Sequence, residues 1–287
     1  MSEAAMDFVR ALPPCVTHLR LSFEDTEDPY INITKLLKKL QERCPDIRVL
    51  IFHRARLKAK DCSYSIVHLC ESLLTNMRVL VMHYCKLKKH LMIYNKDTVT
   101  SKIEVLDVTG SASLIKVPYD DYNLYFRPLF RDVPRLKKVH FSEMYENDEI
   151  FSEDPSKISH LELLNLERNF VGPKTFRAIQ KYGSNLIELY ICYTVLNDND
   201  LIFEDAVDIL PQLKKICLRA TPVTFRGIHS LMESCPSVQH IHVGSYQIEN
   251  SQAVGYHLCN SERIHVVQKN DFCYHFSEID YICMYKV

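Results

Sequence analysis

Apolar residues return along this chain in a fixed figure. An aliphatic residue is followed by two open positions, a second aliphatic, one open position, a third aliphatic, two more open positions, and then a small or polar residue. Met77, Leu80, Met82, Cys85 and Leu87 fit this figure, as do Leu161, Leu164, Leu166, Asn169 and Val171. So do Leu186, Leu189, Ile191, Thr194 and Leu196. Further copies begin at Val16, Ile47, Ile103, Leu136, Leu213 and Val238, with a degenerate one at Ile264. From Leu161 onward the starts lie 25, 27, 25 and 26 residues apart, inside the ~20–29-residue period of leucine-rich repeats. Earlier spacings stretch to about 30–33 residues, which predicts longer helices or inserted loops there.

The second and third aliphatic residues of each copy alternate with open positions, which predicts a strand buried on one face. The small or polar residue (Cys85, Asn169, Thr194 or Thr221) stands where the chain leaves the strand and can bond backbone groups there. Between copies the period changes to a helical one. Ile33, Leu36, Leu37 and Leu40 recur at i, i+3, i+4 and i+7, and Phe225, Ile228, Leu231 and Met232 do likewise. Pro173 is placed to begin a helix and Gly183 to end it. The pattern predicts an α/β leucine-rich-repeat solenoid, a horseshoe with a parallel inner sheet and outer helices. Residues 1–287 form a single domain of nine to ten repeats in this reading. The acidic stretches at 24–28 and 146–154 read as rim loops, and 111–131 reads as an ordered insertion. Residues 271–287 read as a C-terminal cap, a strand that shields the last repeat.

Composition narrows the chemistry. Six glycines in 287 residues never cluster, so neither a dinucleotide-binding turn nor a phosphate loop can be written. Lys and Arg number 35 against 36 Asp and Glu, a net charge of −1, which disfavours nucleic acid as a partner. Eleven cysteines, an odd count with no CxxC pair, predict reduced thiols and a place in the cytosol or the nucleus. No apolar run is long enough to predict a membrane span.

In a solenoid of this kind the open positions between the strand leucines form the concave wall, where a protein partner would sit. The wall is basic and histidine-bearing at first (Arg48, His53, Arg54, Arg78, His83), then acidic (Glu104, Asp107, Glu162), then mixed. Tyr and Arg are frequent anchors of interfaces. His53, Arg54, His83, Tyr84, His140, Tyr190, Tyr193, Arg219 and His242 are therefore the candidate partner-binding residues. His53 and His83 share one slot in adjacent copies, but zinc wants three or four ligands, and the next copies offer Thr109 and Ser142. No metal and no cofactor is expected. No nucleophile, base and orienting group can be assembled, so no enzyme is expected either.

Two junctions carry a narrower signature. In LLKKLQERCPDIRVLIF and GIHSLMESCPSVQHIHV a helix ends in Cys-Pro (Cys44-Pro45 and Cys235-Pro236) and a strand opens shortly after. This resembles the cysteine-containing repeats of the F-box/leucine-rich-repeat protein family. The resemblance implies a substrate receptor of a ubiquitin ligase, docked on Skp1 and a cullin through an F-box ahead of the repeats. The first strand is expected at 16–23, so Skp1 and cullin binding is expected only of a longer form that carries an F-box. The alternative is an F-box-independent scaffold or inhibitor that uses the same wall.

Overall fold

The structure, a computed structural model, describes residues 3–23, 30–58, 73–87, 102–111, 135–143, 151, 155–201, 209–244 and 264–267. The acidic stretches and the insertion expected at 111–131 lie outside these residues, except for Ser111 and Phe151. The expected cap at 271–287 lies outside them entirely. The fold is α/β, with parallel strands dominant and few helices. Its contacts group into two compact units, Met1–Leu136 with Phe276–Val287, and Lys137–His275.

In the first unit, β1 (His18–Ser22), β3 (Val49–His53), β5 (Val79–His83) and β7 (Val105–Asp107) pair side by side in parallel. A smaller parallel sheet joins β2 (Ile31–Asn32), β4 (Arg56–Lys58) and β6 (Lys86–Leu87). The helices described here are α1 (Glu3–Ala11) and α2 (Ile33–Arg43). In the second unit the order is β8 (Lys138–His140), β9 (Leu163–Asn165), β10 (Glu188–Tyr190), β11 (Lys215–Cys217), β12 (His240–Gly244) and β13 (Ile264–Val267). Its helices are α3 (Pro173–Tyr182) and α4 (Phe225–Ser234).

Slots are numbered from the first aliphatic residue of each copy, and the pairing keeps them aligned. Leu19, Leu50, Leu80 and Leu106, all in slot four, lie opposite one another across the first sheet. Val139, Leu164, Leu189, Ile216 and Ile241 do so across the second. Ile264, expected to begin the last copy, pairs with Ile241 and so stands in slot four; this corrects the expected start by three residues. Slot six is buried in both, from Leu21, Phe52 and Met82 to Phe141, Leu166, Ile191 and Leu218. A one-residue slip would turn this whole set to the other face, so burial fixes the register.

The helices begin and end where their capping residues stand. Asn32 accepts a bond from the Lys35 N–H at 3.0 Å and starts α2; Ile33, Leu36, Leu37 and Leu40 are its buried stripe. Pro173 opens α3 and Gly183 closes it. Helix α1 was not foreseen from the sequence. Arg43 Nε donates to Leu12 O at 2.6 Å and Cys44 Sγ to Pro13 O at 3.3 Å, which ties the chain after α1 to the end of α2.

The Cys-Pro junctions are one form of a turn made throughout. The Cys44 N–H closes the last turn of α2 on Leu40 O, and Cys44 O then accepts the N–H of Ile47. Proline sits second in that four-residue turn, where its fixed φ suits the geometry. Cys235 and Val238 repeat the turn, and so do Leu74 with Met77, Ile158 with Leu161, Gly183 with Leu186 and Leu210 with Leu213. Cys44 and Cys235 are fully buried, as are Leu74, Ile158 and Leu210. The slot therefore calls for a compact apolar residue, and the thiol supplies bulk there.

Slot nine ties five of the turns to a backbone carbonyl; Ala55 holds the slot by burial alone. Asn169 Nδ2 donates to Phe141 O at 2.8 Å, Ser111 Oγ to Met82 O at 2.5 Å and Cys85 Sγ to Phe52 O at 3.7 Å, each reaching back to slot six of the preceding copy. Thr194 and Thr221 instead donate to Ile191 O and Leu218 O of their own copy.

The expectation of a single buried face fails in the first unit. Val49, Ile51, Val79, Val81 and Val105 form a buried cluster on the face opposite the leucines. Strands of a parallel sheet buried on both faces read as continuous apolar runs, and VLIF and VLVM are such runs. Asn169→Ala is expected to lower stability by about 1–3 kcal/mol in urea unfolding, because Phe141 O loses its buried donor. Leu189→Ala is expected to cost roughly 2–5 kcal/mol through the cavity it leaves.

Candidate functional site

In seven copies the chain turns past the strand through one left-handed residue, in slot eight each time. Arg54 (φ 56°), Tyr84 (φ 52°) and Gly110 (φ 64°) hold it in the first unit. Glu143 (φ 62°), Arg168 (φ 56°), Tyr193 (φ 57°) and Ala220 (φ 55°) hold it in the second. The turn aims the backbone N–H of that residue at the neighbouring copy. Arg54 N–H donates to His83 O at 2.8 Å and Tyr84 N–H to Thr109 O at 2.9 Å. Glu143, Arg168 and Tyr193 donate likewise to Glu167, Cys192 and Arg219 at 2.9–3.0 Å. Six of these seven residues are not glycine, although a left-handed residue with a Cβ costs about 1–2 kcal/mol. The sparse glycine count is thus matched by strain carried in ordinary side chains.

The same turn pushes the side chain outward, so slot eight forms an exposed ridge in each unit. In the first, Arg54 and Tyr84 are exposed. The Tyr84 ring lies over Gly110, where an added Cβ would come within 2.3 Å of ring carbon Cδ1 and displace the ring. His53 meets the edge of the Tyr84 ring with centroids 6.3 Å apart. In the second unit, Arg168 donates to Glu143 Oε1 at 2.6 Å and stacks 5.2 Å from the centre of the exposed Tyr193 ring. Arg219 stacks at 5.3 Å and donates to Tyr193 Oη at 2.6 Å. Tyr193 is thus flanked by two guanidinium groups.

The nine candidate residues fall into two groups. His53, Arg54, His83 and Tyr84 lie together at the ends of β3 and β5 in the first unit. His140, Tyr190, Tyr193, Arg219 and His242 belong to the second. His140, Tyr190 and Arg219 are buried, which corrects the expectation that they line an open wall. At a strand spacing of ~4.8 Å, large neighbours in register shield one another: Asn165 stands opposite both His140 and Tyr190. Tyr190 Oη donates to Glu188 Oε2 at 2.6 Å, and burial first, then that carboxylate, raises its pKa, so the phenol stays neutral. His242 is half-buried, opposite Cys217 and His265.

His53 and His83 do stand opposite one another, as their shared slot predicts. Their partners differ. His53 Nδ1 lies 3.3 Å from Ser22 Oγ, whereas His83 Nε2 lies 2.8 Å from Oδ2 of the fully buried Asp107. Asp107 Oδ1 also accepts the Thr109 N–H at 2.9 Å. Sequence reasoning placed Asp107 on the wall but missed this pairing, because Asp107 occupies slot five and His83 slot seven. Among the described residues, no three His, Cys, Asp or Glu side chains are grouped to hold a metal ion. The described cysteines are free thiols. Burial pushes the Cys85 thiol up to about 12, which keeps it protonated and poorly nucleophilic.

No protein-family model matches the chain, and no curated protein matches it. No described helix is long and apolar enough to cross a membrane.

Two expectations follow. Burial alone would lower the pKa of His83, but the Asp107 charge and the contact with its carboxylate outweigh it, and Arg20 opposes them. The net value is raised above the ordinary 6.5. The stability this pair contributes is complete below that value and is lost as pH rises through the folded-state pKa. In urea unfolding the gap between wild type and His83→Gln is expected to narrow as pH rises above the ordinary 6.5. Separately, Ala220→Gly is expected to raise stability by ~0.5–1 kcal/mol, since relief of the left-handed strain exceeds the entropy cost of glycine.

Proposed function

We propose that this chain is a leucine-rich-repeat solenoid and a non-catalytic protein-recognition module, acting as the substrate receptor of a Skp1–cullin–F-box ubiquitin ligase in the cytosol or the nucleus. One observation carries the recognition reading. From Ile47 onward, slots one, four, six and nine hold buried apolar residues or carbonyl-bonding side chains, while slot eight presents Arg, Tyr, Glu and Ala on a fixed backbone. A frame that is uniform inside and chemically varied along one exposed ridge suits binding of a protein surface.

Arg54 and Tyr84 are the anchors of the first unit in this reading. Tyr84 offers a broad apolar ring seated on Gly110, so little side-chain freedom is left to lose on binding. Arg54 adds a planar set of donors for partner carboxylates and carbonyls. The ligase role is supported by the resemblance at Cys44-Pro45 and Cys235-Pro236.

The test is immunoprecipitation of the natural gene product from cells, with mass spectrometry of what it retains. Skp1 and a cullin are expected among the retained proteins. The double variant Arg54→Ala/Tyr84→Ala is expected to keep Skp1 and lose other partners. Partners retained without Skp1 would replace the receptor role with that of a scaffold or inhibitor. An unchanged partner set in the double variant would remove slot eight of the first unit as the recognition surface.

A further inference from the structure

The valine face of the first unit is covered. Val49, Ile51, Val79, Val81 and Val105 keep at most 6% of their surface in contact with solvent. On β1 the same face carries His18, half-buried, and Arg20, exposed, so the covered area begins at β3 and reaches β7. An apolar sheet face is buried only where another layer lies on it.

Topology narrows what can supply that layer. Strands β1, β3, β5 and β7 are parallel and stand side by side in chain order. Crossovers between parallel neighbours are right-handed, so strands laid down in one direction send every return path over the same face. In this unit that is the leucine face, where slot nine begins the return by reaching slot-six carbonyls and Leu57 of β4 is fully buried. Residues 59–72 and 88–101 lie within such return paths, as do 112–134 ahead of β8. Helix α1 precedes β1, and Arg43 and Cys44 tie its end to the end of α2, itself on a return path. The stretch that remains is Phe276–Val287, which groups with the first unit although it comes last in the chain.

The letters of that stretch suit the task. Ile279, Tyr281, Cys283, Tyr285 and Val287 occupy every second position, and Glu278, Asp280 and Lys286 stand among the alternate ones. Successive side chains of an extended chain point to opposite sides, so this order gives one wholly apolar side. Extended, positions 279 to 287 span roughly 27 Å, more than the ~10 Å from β3 to β7.

We propose that residues 276–287 lie extended on the valine face of the first unit, with Ile279, Tyr281 and Cys283 against Val49, Ile51, Val79, Val81 and Val105. The segment expected to cap the last repeat is in this proposal an internal cover for the first unit. It closes the inner wall between β3 and β7 to other molecules. A partner of the first unit then meets the slot-eight ridge at Arg54 and Tyr84, and reaches the wall only by displacing the segment. The cover does not depend on the ubiquitin-ligase reading.

The test replaces Tyr281 of the full chain with photoreactive p-benzoylphenylalanine, irradiates the dilute protein and maps the cross-linked peptides by mass spectrometry. Cross-links within one chain to 47–54, 78–84 or 103–108 are expected. A second readout uses the unaltered protein. Cys283 is expected to react with iodoacetamide at least about tenfold more slowly than the exposed Cys15, and Ile279→Ser/Tyr281→Ser is expected to remove that difference. Cross-links confined to 238–267 or to 112–134, cross-links only between chains, no cross-link at all, or a Cys283 that reacts as fast as Cys15 in the folded wild type would each overturn the proposal. Neither readout needs a partner, so the protein-recognition reading stands or falls separately, on whether cellular partners depend on Arg54 and Tyr84.

Discussion

A strand in a parallel sheet needs its neighbour to follow the same backbone path about 4.8 Å away. Here that demand reaches past the strand ends through a single bond in five of the copies. The N–H of the left-handed slot-eight residue donates to the slot-seven carbonyl of the next copy, from Arg54 onto His83 to Tyr193 onto Arg219. The ladder can continue only if every copy turns at the same point. The turn in turn places slot nine inward, where Asn169, Ser111 and Cys85 take up slot-six carbonyls, and slots eight and ten outward. Core, hydrogen bonding and exposed surface are therefore set together.

The buried polar groups follow the same discipline. Asp107 is fully buried in the first unit, yet it accepts the Thr109 N–H and faces the His83 ring. Tyr190 is buried in the second, with its hydroxyl on Glu188 and Lys215 5.2 Å from its ring centre. A polar group without a partner in such places would be costly. These contacts make Asp107 and Tyr190 part of the packing, while Arg20 and His240 of the strands remain exposed.

The repeat starts up to Val238, the strand positions and helices α2, α3 and α4 were legible because burial imposes spacing, and spacing survives in a string of letters; the start at Ile264 was misplaced by three residues because the last copy lacks an aliphatic first slot. The buried second face of the first unit was legible too, in Val49, Ile51, Val79, Val81 and Val105, but the figure of three leucines per copy draws the eye to the other face. Nothing in the letters marks a left-handed residue when it is Arg, Tyr or Glu rather than glycine; only Gly110 carries the usual sign. The burial of His140 and Tyr190 was equally hidden, since their slots are open in the repeat and are closed by large neighbours in register.

The left-handed turn also limits what the ridge can become. At positive φ a side chain branched at Cβ collides with its own backbone, whereas unbranched chains and alanine are tolerated at moderate cost. The seven residues found there are Arg, Tyr, Gly, Glu, Arg, Tyr and Ala, with no Val, Ile or Thr among them. This alphabet excludes the stiff aliphatic residues that fill most cores, and keeps the long, flexible or aromatic ones that reach toward another molecule. Drift in sequence along this line is thus channelled by backbone geometry toward side chains suited to contact.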